Sequence, residues 1–374
     1  MSPSRRRLPL HRSAFLSVVT LLAVACGSST TSAGPSAIPT TTPSPTAAAT
    51  ASPVATPTPS PTPTPTPTPS LDPADLTGML VAPELAHRLP LAVMLDDSRA
   101  ARPQSGFNAA SLVYQATADG YETRYMLVFQ EGETPDIGPV RSARFYLVQW
   151  AQEVQAAIAH YGGDRRTRSY IKWHPRQFTD VDGMTRGNPA YHRIKSRKAP
   201  HNAYTSTASL RRMALKLGGP ESMAADLYRR PFRDPSPLVG RATSQSIRIP
   251  YRTNVITYRF DPATDAYLRS INGKAHVDPA DGQRVATTNV VVLFQKFRID
   301  TRIEPGHSRP DIKSIGSGKA WFFSEGKLVK GTWRKRNDTG PTRFFDGAGT
   351  EVVLVRGRTF IQVVPIGTKV TFKD

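Results

Sequence analysis

Arg141 and Arg144 stand three residues apart in the stretch IGPVRSARFYLVQW, Ile137 to Trp150. Gly138-Pro139 ahead of them fits a helix opening, where proline is tolerated because the first N–H groups have no partner. Val140, Ala143, Leu147, Ala151 and Val154 follow at three- and four-residue spacing, so the expected helix buries one stripe. Its N-terminus is then an anion site. Two guanidinium groups one turn in, with Ser142 between them, add charged donors for phosphate, pyrophosphate or carboxylate. Competing partners lie within the chain: Asp96, Asp97 and Asp136 can hold both arginines in a structural network.

A second group is the loop RAARPQSGFNAA, Arg99 to Ala110, after a strand that ends in two acids. Arg102, Gln104 and Ser105 are candidate ligand contacts there, since α/β proteins place binding groups at strand ends. The plainer reading is a turn whose Gln and Ser satisfy backbone groups. His160 in AHYGGD, and His201 beside Asn202 in APHNAY, are candidates for proton transfer, with Asp96 or Asp164 to orient one of them. Ser105 or Ser142 would be the nucleophile, but neither sits in a nucleophile-elbow glycine pattern. Hydrogen-bonded structural histidines fit the same pattern. No His-x-x-x-His pair or acidic cluster is present, so no metal site and no cofactor is expected. Finally, Arg165 to Lys198 holds ten Lys or Arg against two acids, with Tyr170, Trp173 and Tyr191 interleaved. That is the composition of a surface that grips phosphates and stacks on sugars, or of a solvated basic face.

The elements that must carry these residues follow from pattern. LPLAVMLDD, SLVYQAT and ETRYMLVFQ read as three strands, the last two joined by ADGY. QAAIAHYGG reads as a short inner strand, and STASLRRMALKLGG as a helix capped by Ser206 or Thr207 and stopped by its glycines. Residues 85–230 are therefore expected to form an α/β domain. From Ile247 the pattern changes to short strands separated by Asn272-Gly273, Asp281-Gly282, Glu325-Gly326 and Asp346-Gly347. The expectation is an α+β protein, with an antiparallel all-β domain at 245–374 behind the Pro- and Arg-rich link RRPFRDPSPLVGRATSQ. Trp321, Phe322, Phe323, Trp333, Phe344, Phe345 and Phe360 supply its core and hairpin pairs.

The front of the chain speaks to location. Arg5, Arg6, Arg7 and Arg12 precede the apolar run Ala14 to Ala25, which is too short for a mature membrane span. LAVAC follows, and its Cys26 is the only cysteine, so no intrachain disulfide can form. The layout resembles a bacterial lipobox, which implies removal of residues 1–25, a lipid on Cys26 and an extracytoplasmic, membrane-anchored product. Residues 26–75 read as a tether. Gly27 to Ser70 is almost entirely Ser, Thr, Pro and Ala, without any charge. It has little to bury, and its Thr-Pro repeats favour an extended spacer on the order of 100 Å. The whole chain carries +20, and about +16 remains beyond the signal arginines. Such a protein is drawn to anionic lipid headgroups or phosphate-bearing wall polymers. Export argues against nucleic acid.

The motifs LAVMLDD, ARPQSG, SLVYQAT, TRYMLVF, GPVRSAR, AHYGGD and APHNAYTS, then GKLVKGTWRK and TRFFDGAGTEVVLVRGRTFIQVVP, are similar to those of the YerB-type bacterial lipoproteins. Asp97 departs from the asparagine often found there. The resemblance implies an anchored protein with an N-terminal α/β and a C-terminal β part. It implies no reaction and no catalytic residue. Three functional expectations follow. The first is binding of an anionic envelope ligand by Arg102, Arg141, Arg144, His160 and His201, with Gln104, Ser105, Ser142 and Asn202 nearby. The second is an envelope hydrolase or transferase using Asp96, His160 and His201, with arginines stabilising developing charge. The third is a scaffold for protein partners that the sequence does not identify.

Overall fold

Alternating residues in the first strands point to opposite sides, and here both sides are apolar. In β1 (Leu91–Asp96), Val93 and Leu95 enter one core while Ala92 and Met94 enter the other. β2 (Leu112–Thr117) and β3 (Thr123–Phe129) are likewise buried along their length. Strands of this composition need cover on both faces. The computed structural model, which describes residues 70–237 and 245–373, supplies that cover.

β1 pairs antiparallel with β3 and parallel with β4 (Ala157–His160), which pairs parallel with β5 (Asp180–Asp182). α2 (Phe145–Gln152) and α3 (Arg165–Trp173) pack with the Ala92/Met94 side through Leu147, Val148, Trp150 and Ile171. α4 (Thr207–Lys216) packs on the opposite side through Leu210, Met213 and Ala214. With the short α1 (Pro83–Ala86) these make four α-helices among the described residues, all before Leu217. Ser206 caps α4, its side chain accepting from the Ser209 N–H, as the sequence predicts.

In the second half, β6 (Ser246–Pro250), β7 (Val255–Asp261), β8 (Ala266–Ile271) and β9 (Lys274–Ala275) follow one another in an antiparallel sheet that alternates buried and open residues. Asn272 and Gly273 both take positive φ in the β8–β9 turn, as an Asn-Gly hairpin requires. Ile247, Ile249, Ile256, Tyr258 and Tyr267 share the core of Val93 and Leu127.

The second part is built of strands, as expected, but the expected all-antiparallel pairing is corrected. β10 (Asn289–Gln295), β11 (Gly316–Ser324), β12 (Lys327–Lys335), β13 (Arg343–Asp346) and β14 (Thr359–Pro365) join the first half in a single ten-stranded mixed sheet. Its order is β13-β12-β11-β10-β14-β2-β3-β1-β4-β5. β14 is parallel both to β10 (Asn289 opposite Thr359) and to β2 (Thr359 opposite Leu112). The reason is in the residues: NVVVLFQ is buried throughout, and only a central strand covered on both faces satisfies it.

Order also begins inside the stretch expected to be tether. Asp72–Pro73 pairs with Leu80–Val81, and Asp75 is buried against His87 and Arg229. Cys26, the lipobox and most of the tether lie outside the described residues.

Candidate functional site

The helix expected from Val140 starts only at Phe145. Before it the chain is extended and held on three sides. Ile137 and Thr205 exchange backbone bonds of 2.8 and 3.0 Å, the Val140 N–H reaches Ala203 O at 2.7 Å, and the Arg141 N–H reaches Met94 O at 2.8 Å. Gly138 is needed there because a Cβ would sit 2.5 Å from the Tyr204 ring. Arg141 and Arg144 are thus not one turn inside a helix, and the expected anion site at its mouth is not formed.

Both guanidinium groups face acids of this chain. Arg141 Nε lies 3.1 Å from Asp96 Oδ2. Arg144, buried, bonds Asp119 through Nε at 3.3 Å and again through Nη2, and donates to Ala143 O at 2.7 Å. Arg309 of the second half reaches Asp119 at 3.0 Å. Burial alone would raise Asp119, but Arg144, Arg124 and Arg309 outweigh it and hold the carboxyl down at about 2. Arg124, beneath them, is pushed down to about 10, first by burial and then by Arg144. The internal network wins, with Asp119 a partner that spacing did not single out.

Asp96 and His201 do come together. Asp96 Oδ2 lies 2.6 Å from His201 Nδ1, and its Oδ1 accepts from the Ser98 N–H at 3.1 Å. Burial raises the Asp96 carboxyl, yet Arg124 and Arg141 bring it below its ordinary value. His160 is elsewhere. Its Nδ1 faces Gly162 O at 2.8 Å and its Nε2 faces Asp180 Oδ1 at 2.7 Å. Both nitrogens meet acceptors, so both carry protons. Burial opposes that charge, but Asp180 and Asp182 raise the imidazole above its usual value. His160 is a buried cation tying β4 to β5, and Asp164 caps α3 instead of orienting a histidine.

The remaining predicted residues divide. Ser142 Oγ donates to Tyr161 O at 3.1 Å. The buried Ser105 hydroxyl has no hydrogen-bond partner among the described residues, and no histidine stands against either serine. Ser98 Oγ is 3.5 Å from His201, but at the nitrogen that serves Asp96, so no nucleophile–base pair results. Asn202 accepts from Arg193 at 2.6 Å.

Arg102 and Gln104 are organised by Asp97. Its fully buried carboxylate accepts from Arg102 Nε at 3.1 Å, Gln104 Nε2 at 2.9 Å, Gln115 Nε2 at 2.9 Å and the Thr123 hydroxyl. Arg197, from the basic stretch, braces the same loop by donating to Ala101 O and, at 2.7 Å, to Pro103 O. Behind Asp97 stands Arg269, which sequence reading passed over. It is fully buried and donates to Gln115 Oε1 at 2.7 Å, Tyr125 Oη at 2.9 Å, Tyr258 Oη at 3.2 Å and His276 Nδ1 at 2.7 Å. Burial works against its charge, but Tyr125, Tyr258 and Asp97 keep it above the ordinary range. An arginine can only donate, so His276 Nδ1 is the acceptor and its proton is on Nε2. Burial and Arg269 push His276 well down, so it stays neutral. The signal was available: Tyr267, Arg269 and Ile271 share one face of β8, and that face is buried.

Between the Arg99–Gln104 loop and the β8–β9 hairpin lies an open cleft of about 710 Å³. Arg99, Arg102 and Lys274 are its cations and Glu122 its acid, with Asn254, Asn272, Gln104 and His276 along the wall. Arg99 and Lys274 are exposed and form no ion pair among the described residues, and Arg102 keeps its Nη1 without a protein partner there. Gln104 Oε1 and His276 Nε2 are buried without a hydrogen-bond partner. The arrangement can hold a compact anion bearing polar substituents. No group of three or more metal-ligating side chains occurs among the described residues, and no helix among them is long and apolar enough to cross a membrane.

Comparison with known proteins agrees with the motifs. The family described as "Protein of unknown function (DUF3048) N-terminal domain" matches residues 76–219, and its C-terminal counterpart matches residues 247–361. The chain is 28% identical over 297 residues to YerB of Bacillus subtilis (strain 168), a protein named as a lipoprotein, covering 78% of this chain and 86% of that one. The crystal structure of the Bacillus subtilis YerB protein superposes with a TM-score of 0.71 at 26% identity, covering 80% of this chain and 99% of that one.

Proposed function

Starting from the fact that this chain belongs to the YerB-type lipoprotein family, whose function is not established, we propose that it is an extracytoplasmic binder of an anionic, phosphate-bearing envelope ligand. The lipid on Cys26 anchors it to the bacterial membrane and the Thr-Pro tether links that anchor to the folded part. The relative's name and the layout of the first 26 residues support the anchor. The ligand enters the cleft between the Arg99–Gln104 loop and β9. One observation carries this reading: Arg99 and Lys274 line the cleft without an ion pair among the described residues, beside Arg102 with its free Nη1, whereas Arg141 and Arg144 face internal carboxylates outside it.

Titrating the protein calorimetrically with sn-glycerol 3-phosphate tests it. A charge-assisted hydrogen bond contributes about 1.5–3 kcal/mol, so Lys274→Gln should weaken binding roughly tenfold or more, and Arg99→Gln should act in the same direction. Both side chains are exposed, so the fold survives. Binding unchanged in the double variant removes the cleft from the account.

The Asp96–His201 pair favours acid–base chemistry as a second reading, because His201 Nε2 has no hydrogen-bond partner among the described residues. An activity on phosphate-ester or glycoside substrates that vanishes in His201→Gln and persists in His160→Gln would support it. Loss in both variants, or in neither, would not.

A further inference from the structure

α3 buries Thr167 and Ile171 and turns Arg165, Arg168, Lys172 and Trp173 outward, with exposed Arg176 just beyond its end. Arg166 is paired to Asp311 at 2.9 Å. Arg165, Arg168, Lys172 and Arg176 form no ion pair among the described residues. Trp173 is 75% exposed, and the Lys172 ammonium lies 5.9 Å from its ring centroid. Met184, 67% exposed, lies beside the turn that Arg168 also flanks: its Sδ is 2.5 Å from a Cβ built on Gly162, and Arg168 Cγ is 3.4 Å from one built on Gly163. Two large apolar side chains thus stand in water near four cations that form no close ion pair, with Glu304 in electrostatic reach of Arg168 and Asp300 in the same hollow as Arg165.

We propose that this face of α3 lies flat on the anionic phospholipid surface in which the protein's own anchor sits, with Trp173 at the boundary between headgroups and acyl chains. The proposal rests on the membrane-anchor reading above. The cations match anionic headgroups, each strengthening association by roughly fivefold near such a surface. The indole separates a membrane from a soluble polyanion: it gains from a half-apolar interface, where tryptophan concentrates, and a wall polymer offers none. The anchor and uncharged tether of residues 26–69 put that surface within reach of the chain. The cleft is a separate site, lined by none of these residues.

Tryptophan fluorescence of the full lipidated chain, reconstituted in vesicles with brominated acyl chains, tests this. Trp150, Trp321 and Trp333 are 1%, 9% and 2% exposed, so accessible quenching reports Trp173. In phosphatidylglycerol vesicles Trp173 should be quenched by the bromines and shielded from aqueous iodide. In phosphatidylcholine vesicles, and in an Arg165→Gln, Arg168→Gln, Lys172→Gln variant, it should be open to iodide, and Trp173→Phe should abolish the difference. Vesicle flotation reports the anchor separately. A chain that floats with both vesicle types while Trp173 stays equally open to iodide keeps its anchor and refutes the docked face. A chain that floats with neither refutes anchor and docking together. Shielding of Trp173 by a soluble polyglycerol phosphate but not by vesicles assigns the face to a polymer and overturns the proposal.

Discussion

Arg144→Gln separates an arginine held by the fold from one held ready for a ligand. In the structure Arg144 is buried and bonds both oxygens of Asp119. Asp119 titrates at about 2 where 3.8 is ordinary, and at about 1.4 kcal/mol per pH unit that gap corresponds to ~2.5 kcal/mol of stability. Arg144 is the foremost of the groups that lower it, and Arg309 and Arg124 remain in the variant, so part of the effect survives. Ala143 O, however, loses its guanidinium donor. The expected net loss at neutral pH is about 2–3 kcal/mol, read by urea unfolding monitored by circular dichroism. Its pH dependence has a fixed sign. The folded-state carboxyl is depressed, so its contribution is complete above about pH 3.9, the unfolded value, and fades as pH falls toward 2. The gap between wild type and variant should therefore close on acidification from pH 4 downward. A variant as stable as wild type at pH 7 would refute the internal-network assignment and reopen Arg144 as a ligand group.

The other buried charges make equally definite predictions. His160→Gln should cost about 2–3 kcal/mol at pH 6. Because the folded imidazole is raised, wild-type stability from this group is complete below about pH 6.5 and declines as pH rises through the folded value, so urea midpoints of wild type and variant should converge in alkali. Lys335→Met removes a fully buried ammonium 3.0 Å from Glu153, with bonds to Asp338 O at 3.0 Å and Gly340 O at 2.6 Å. Breaking a buried pair costs about 3–5 kcal/mol, measured in the same melts. Gly132→Ala would place a Cβ 2.0 Å from Ala109 O, and a thermal melt should show a loss of about 1–3 kcal/mol as the backbone moves. Residues 70–237 produced alone should fail to give a cooperative melt, since β2 would lose β14 and expose its edge in mid-sheet.

Periodicity located much of the first half because its signals are local. Val93/Leu95 against Ala92/Met94 need only the pleat, and Ser206 needs only its own helix end. The parallel pairing of β14 with β2 was not legible, since it joins residues nearly 250 apart and no turn announces it. A hint existed in NVVVLFQ, too uniformly apolar for a half-open antiparallel sheet. The helix drawn from Val140 failed for a tertiary reason: Met94, Ala203 and Gly162 offer the Ile137–Arg144 backbone better partners than an extra helical turn. At the site, the sequence named Arg102, Gln104, Asp96 and His201, and the structure places Asp96 against His201 and Arg102 and Gln104 against Asp97 at the end of β1. It separated neither His160 from His201 nor the two arginines from their acids, because charge spacing along a chain carries no information on which carboxylate folds back. Arg269 and His276 were legible only as inward positions of a strand and its hairpin.

Backbone amide shift mapping during titration with sn-glycerol 3-phosphate locates the ligand on the protein. Saturable shifts should be confined to Arg99–Gln104 and Asn272–Val277, with Ser142–Phe145 and His160 unmoved. Shifts centred on Arg141 and Arg144, with the cleft silent, would contradict binding in the cleft.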